Sequence, residues 1–193
     1  MNKFIAIDTE TGGIGEEADL LTAFFGILDE DLNLVTELTI RLRPDSEDDF
    51  FHVSAKALEI NGILLIDHFK VALPKNVAGQ ELFRFLNENT PMVDGKKQRL
   101  IPIGHNVAFD IKKIADKLLN KKTLDQFIGY RTLDTGTIGQ FLQVARLIPS
   151  NVSASLSSLM AHYNIPFEGQ AHNERVDAMA CVALIKRMLQ EFK

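Results

Sequence analysis

Lys3-Phe-Ile-Ala-Ile-Asp-Thr-Glu10 is an apolar run that ends in two carboxylates, Asp8 and Glu10. An unbroken apolar stretch of this length suits a buried strand. Side chains two apart on a strand share a face, so Asp8 and Glu10 aim at the same place. Bare carboxylates that close repel one another and tend to hold a proton. A divalent cation removes the conflict, and hard oxygen donors are the ligands that Mg2+ and Mn2+ prefer.

Around that stretch, 193 residues with 46% hydrophobic content predict one domain over 1–193 with a sizeable core. The longest aliphatic run, Ile63-Leu-Leu-Ile66, falls far short of the ~20 apolar residues that span a bilayer. Asp8 interrupts the N-terminal apolar run too early for a signal peptide. No membrane association is therefore expected. Cys181 is the only cysteine, which excludes an intramolecular disulfide and a cysteine zinc cluster, and a reducing cytoplasm is the expected setting. The net charge of -5 argues against a protein that coats nucleic acid through bulk charge. It leaves room for an enzyme that grips one strand end through metal ions. Lys113, Lys117 and Lys121 recur every fourth residue on an expected helix, beside Lys112 and Lys122. Such a row is either a solvated helix face, the common use, or a ridge that tracks phosphates. The acidic block from Asp45 to Asp49 reads as a solvated loop.

Strands are expected over Phe4 to Asp8, Leu21 to Leu28 and Leu34 to Leu42, the last two joined by the turn Asp29-Glu-Asp-Leu-Asn33. Ser54 should cap a short helix that ends near Asn61-Gly62. Leu82, Phe83, Phe85 and Leu86 mark an amphipathic helix, and Leu100 to Gly104 a fourth strand. A helix from about Ala108 to Leu119, a strand from Tyr130 to Leu133 and a helix from Thr137 to Arg146 follow. A Ser-rich loop, Ser150 to Ser158, leads into a helix ending near Tyr163. The last helix carries one apolar stripe through Ala178, Val182, Ile185, Leu189 and Phe192. Strands first and strand–helix units later indicate an α/β layered domain with a mixed sheet.

Two later segments place acids in a matching context. Gly104-His-Asn-Val-Ala-Phe-Asp110 follows a strand and opens a helix, where α/β sheets commonly place their sites. Asn106 is expected to cap that helix. Asp110, in its first turns, is explained by the helix dipole as well as by a metal. His105 reads as structural, bonded to backbone at the strand end. Phe109 either wedges against a base or belongs to the core. His172-Asn-Glu-Arg-Val-Asp177 opens the final helix. Asp177 lies beside the apolar stripe and should be partly buried, so it needs a partner, and Arg175 is too close in sequence to be the obvious one. A metal shared with Asp8 and Glu10 would satisfy it.

Taken in order, D-x-E at 8–10, H-N-x-x-F-D at 105–110 and H-x-x-x-x-D at 172–177 resemble the DEDDh 3′-5′ exonuclease family. That family includes proofreading subunits of bacterial replicative polymerases, stand-alone exonucleases and some RNases. Ser54 to Ile63 is similar to the family's substrate-facing helix and loop, and Leu133-Asp-Thr135 to another of its elements. The resemblance implies a ribonuclease-H-like α/β fold, a five-stranded mixed sheet flanked by helices. It implies two Mg2+ or Mn2+ ions, with Asp8 bridging both, Glu10 and Asp177 on the ion that carries the nucleophile, and Asp110 on the second. His172 is the implied general base, a role that a near-neutral pKa suits. Thr11, Gly12, Ile63, Asn106 and Phe109 are the implied substrate contacts. The pair Gly12-Gly13 departs from many relatives, and it either admits a nucleotide close to the backbone or serves only a turn.

The implied reaction releases nucleoside 5′-monophosphates from a 3′ end, preferably single-stranded, with DNA ahead of RNA. The implied partner is nucleic acid, joined by a DNA polymerase if the chain is a proofreading subunit. With no polymerase segment attached, a stand-alone enzyme or a detached subunit is expected. Oligomeric state is left open. One rival is a catalytically silent nucleic-acid-binding domain of the same fold, whose signature would be a missing ligand. The other is a phosphotransferase that forms an aspartyl phosphate at Asp8. That chemistry usually wants an aspartate where Glu10 stands, and it leaves His172 idle.

Overall fold

A computed structural model describes residues 1–46, 49–166 and 173–192. The chain begins with an antiparallel meander of β1 (Asn2–Thr11), β2 (Leu20–Asp29) and β3 (Leu34–Arg43). Asp29 closes its second turn, its Oδ1 accepting from the N–H groups of Asp31 and Asn33 at 2.9 and 2.8 Å. Helix α1 (Ala55–Asn61) starts at Ser54, whose hydroxyl oxygen accepts from the Ala57 N–H at 3.1 Å. It stops at Gly62, whose φ of 65° is left-handed backbone that glycine adopts without strain. Then come α2 (Leu65–Val71), β4 (Leu73–Pro74), α3 (Lys75–Asn89) and a small hairpin of β5 (Met92–Val93) and β6 (Lys96–Lys97). The remaining elements are β7 (Ile101–Gly104), α4 (Val107–Lys117), α5 (Lys121–Leu124), β8 (Leu133–Asp134), α6 (Thr135–Val144), α7 (Leu156–His162) and α8 (Glu174–Met188).

The main sheet is mixed, in the order β4-β3-β2-β1-β7-β8, with β7 parallel to β1 and β8 parallel to β7. The sixth strand is β4, paired with β3 only at Leu42↔Leu73 and Arg43↔Pro74 and so too short to leave a period in the sequence. The strand expected over Tyr130 to Leu133 is limited to Leu133–Asp134. Upstream, Ile128 makes a single parallel bridge to Leu100, and Tyr130 then sits in solvent.

The alternation of β1 divides the core into two layers. Ile5 and Ile7 pack with Leu82 and Leu86 of α3 and with Val107 and Ile114 of α4. Ala6 packs on the opposite face, with Phe24, Ile103 and the α8 residues Ala178, Cys181, Val182 and Ile185. The other side of α8, through Ala180, Leu184 and Met188, meets α6 and α7. The single stripe expected on this helix is therefore two. Leu189 and Phe192 lie past its end in a 3-10 turn and are 52% and 58% exposed. Among the described residues, no helix is long and apolar enough to cross a membrane.

Candidate active site

Strand β1 lies between an antiparallel neighbour, β2, and a parallel one, β7. A crevice opens at such a change of direction, at the carboxyl ends of the parallel strands. The β1–β2 register slips just after Glu10, from Glu10↔Thr22 to Thr11↔Leu20, an irregularity of the kind that re-aims a strand end. By the period of two, Asp8 and Glu10 share the face that Ala6 turns to α8. Asp177 stands in the first turn of α8, which Asn173 caps by accepting from the Val176 N–H at 3.2 Å. Asp8, Glu10 and Asp177 each offer a carboxylate oxygen, and these oxygens all lie within 4.8 Å of one another.

Asp110 arrives from the other layer. Thr9 turns to the Ile5–Ile7 face, where α4 packs, and donates its hydroxyl to Asp110 Oδ1 at 2.6 Å. Asp110 lies outside the group of three, yet its negative charge bears on Asp8. Thr9 was not singled out in the sequence, although its position between the two acids already assigns it to the opposite face.

Burial pushes the Asp8 carboxyl well above the ordinary range, and the charges of Asp110, Glu10 and Asp177 act the same way. Glu10, 8% exposed, is pushed up to about 8, first by burial and then by Asp177 and Glu174. Asp110 rises to about 7 through burial, against the lowering effect of its bond from Thr9. Oxygen donors that resist ionising together fit a divalent cation, which would discharge all of them at once.

Sequence reading also passed over Glu174, a buried acid one turn before Asp177, with Arg41 Nη2 at 3.8 Å from its Oε1. A cleft of about 320 Å³ opens beside Glu10 between Thr22, Arg41, Asn61, Ile63 and Glu174. Asn61 donates from Nδ2 to the Thr11 carbonyl at 3.0 Å and so ties α1 to the end of β1. His172 lies outside the described residues.

Of the expected substrate contacts, Ile63 lines that cleft, and Thr11 donates its hydroxyl to the Gly13 carbonyl at 2.8 Å. Phe109 is half-buried on α4. Asn106 precedes α4 as expected but does not cap it with its side chain. Its backbone is left-handed at φ 57°, and Asp134 Oδ2 takes the Val107 N–H at 3.1 Å instead. His105 bonds a side chain rather than backbone, its Nδ1 lying 2.8 Å from Thr135 Oγ1. Gly12 is buried against His52 and Val53, where a Cβ would meet the His52 carbonyl oxygen and come within 2.8 Å of Val53 Cγ1. Gly12→Ala should therefore cost about 1–3 kcal/mol of stability. A thermal melt should show Tm lowered by roughly 3–10 °C, and an unchanged Tm would refute this packing argument.

The lysine row is divided between the expected solvated face and a third use. Lys112 and Lys121 stay in solvent, paired with Asp116 and Asp125. Lys113, 4% exposed, and Lys117 turn inward onto the segment between β1 and β2.

No family model matches the chain. It is 26% identical to ribonuclease T of Actinobacillus pleuropneumoniae serotype 5b (strain L20) over 202 residues, covering 98% of this chain and 84% of that protein. Ribonuclease T of Histophilus somni (strain 129Pt) is 25% identical over 203 residues, with the same coverage. The zinc-bound form of the Escherichia coli exonuclease I complex with single-stranded DNA superposes with a TM-score of 0.73 at 15% identity. That match takes in 98% of this chain but 41% of exonuclease I, so the chain spans about two fifths of the larger enzyme's length. The likeness to exonuclease I establishes a shared fold, and the likeness to ribonuclease T runs almost from end to end. Together these likenesses support placing the chain with the DEDDh 3′-5′ exonucleases.

Proposed function

We propose that this chain is a single exonuclease domain that removes nucleoside 5′-monophosphates one at a time from single-stranded 3′ ends, using two Mg2+ or Mn2+ ions. The observation that carries the reading is the convergence of Asp8, Glu10 and Asp177 within 4.8 Å at the strand end, in surroundings that hold Asp8 and Glu10 well above the ordinary carboxylate range. When bound, the ions would lower the pKa of the attacking water and neutralise charge on the phosphoryl oxygens. Asp8, Glu10, Asp177 and Asp110 are the residues to hold them, with Thr9 keeping Asp110 in place. His172 takes the proton that water sheds as its oxygen bonds to phosphorus and the 3′-oxygen of the preceding nucleotide leaves. The cleft beside Glu10, which Ile63 lines, suits the terminal nucleoside, and Thr11, Gly12, Asn106 and Phe109 are proposed as further contacts to the strand.

The motif resemblance puts DNA ahead of RNA. The relatives that match by sequence are named ribonuclease T, whereas the DNA-bound exonuclease I shares the fold at 15% identity. The weight thus moves to RNA 3′ ends, with DNA second. We take the enzyme to act alone rather than as the proofreading subunit of a polymerase, in a reducing cytoplasm that its single cysteine suits. Matched 5′-labelled RNA and DNA oligonucleotides, single- and double-stranded, should be shortened from the 3′ end in the presence of Mg2+, fastest for single-stranded RNA. An intact strand would return the chain to a silent binding domain. Phosphatase activity without shortening would favour the phosphotransferase.

A further inference from the structure

The loop from Gly12 to Asp19 leaves the active-site strand immediately after Glu10 and Thr11, and it is gripped from the helix that carries Asp110. Lys113, one turn beyond Asp110, directs its Nζ to two backbone carbonyls of this loop, Gly15 at 2.5 Å and Ala18 at 3.0 Å. Lys117, a further turn along α4, donates to the Glu17 carbonyl at 2.9 Å and stands 3.6 Å from Asp19 Oδ1. Asp19, 2% exposed, also takes Lys75 of α3 at 2.8 Å and the His52 N–H at 2.8 Å. A buried ammonium is costly, and structures keep one where its hydrogen bonds hold something in place. Here the object held is a glycine-rich loop whose outer face presents Ile14, 93% exposed. Between this loop and the stretch from Phe50 to Ser54 lies a second cleft of about 370 Å³, with Phe50 81% exposed at its rim.

We infer that Lys113, with Lys117, is a positioning residue for substrate binding, fixing residues 14–18 of this loop as a wall for the nucleotides that precede the scissile bond. The inference rests on the exonuclease reading above. A loop wall with an apolar tip and an aromatic rim suits bases, which stack without regard to sequence. Loss of the clasp should therefore weaken the grip on a strand and leave the chemistry at the terminal phosphodiester untouched.

Two substrates separate the effects: a single-stranded 12-mer, and the p-nitrophenyl ester of a nucleoside 5′-monophosphate, which has no preceding nucleotides. Lys113→Met should raise KM for the 12-mer roughly tenfold or more, with kcat and the ester reaction within about twofold of the unmodified chain. Lys113→Arg should recover most of the affinity, because its donors also reach carbonyls. Lys117→Met, at a less buried position, should shift KM the same way by less, and it serves if Lys113→Met does not fold. Equal losses on both substrates, or no change on either, would overturn the inference. Failure of the unmodified chain to shorten the 12-mer would instead overturn the exonuclease reading.

Discussion

Asp8→Asn abolishes strand shortening, by a factor on the order of 10³ or more, and at the same time gives a metal-free protein that melts higher at pH 8 than the unmodified chain. The two effects share one cause. Asp8 is surrounded by Asp110, Glu10, Asp177 and Glu174, and burial and these charges hold its carboxyl well above the ordinary range. An amide of the same shape needs neither the charge nor the proton that the fold must otherwise hold at this position at a cost. Asp177→Asn should behave alike, since Asp177 leads the charges acting on Glu10. Circular dichroism melts with and without Mn2+, beside the oligonucleotide assay, read both effects. A variant that lost activity together with its fold, or kept activity with its fold, would remove Asp8 from the proposed role.

Chelation is the second large effect. EDTA should stop the reaction, and adding back Mn2+ or Mg2+ should restore it. Metal should also raise Tm by roughly 5–10 °C at saturation, and more at pH 8 than at pH 6. Glu10 titrates at about 8 and Asp110 at about 7, whereas carboxyls of an unfolded chain titrate near 4. From about pH 4 to pH 8 the folded protein keeps protons that the unfolded chain has released, so metal-free stability declines as pH rises through that window. A cation competes with those protons, and its hold strengthens over the same range. Metal-induced Tm shifts that were equal at the two pH values would contradict the crowded-carboxylate account. Full activity in EDTA would end the metal proposal.

The main strands and helices and the three-acid group were legible because strand and helix periods report which face a residue occupies. Asp8 and Glu10 had to share a face, and the apolar residues beside Asp177 had to bring it to a core. Less legible were features that depend on what packs against a face. The charge pattern of Lys113 and Lys117 is the same whether α4 meets solvent or a docked loop, and only the tertiary structure distinguishes these. Asn106 has the chemistry of a cap, but its backbone is left-handed and its side chain makes no cap bond, while Asp134 of β8 takes the Val107 N–H. The second stripe on α8, Ala180, Leu184 and Met188, also recurs every fourth residue, but its period alone does not tell a face packed on a neighbouring helix from one in water.

Asp8 stands on the first strand and Asp177 on the last helix, and it is the packing of Ala178, Cys181 and Val182 against Ala6 that joins them. Chains emerge from the ribosome N-terminus first. The first strand is therefore made long before its partner acid appears. No nascent chain that lacks this helix can gather the acidic group, whatever else has folded. On the RNA reading, the message that encodes the chain lies beside it throughout that interval. The order of residues along the chain delays assembly of that group until this helix has been made.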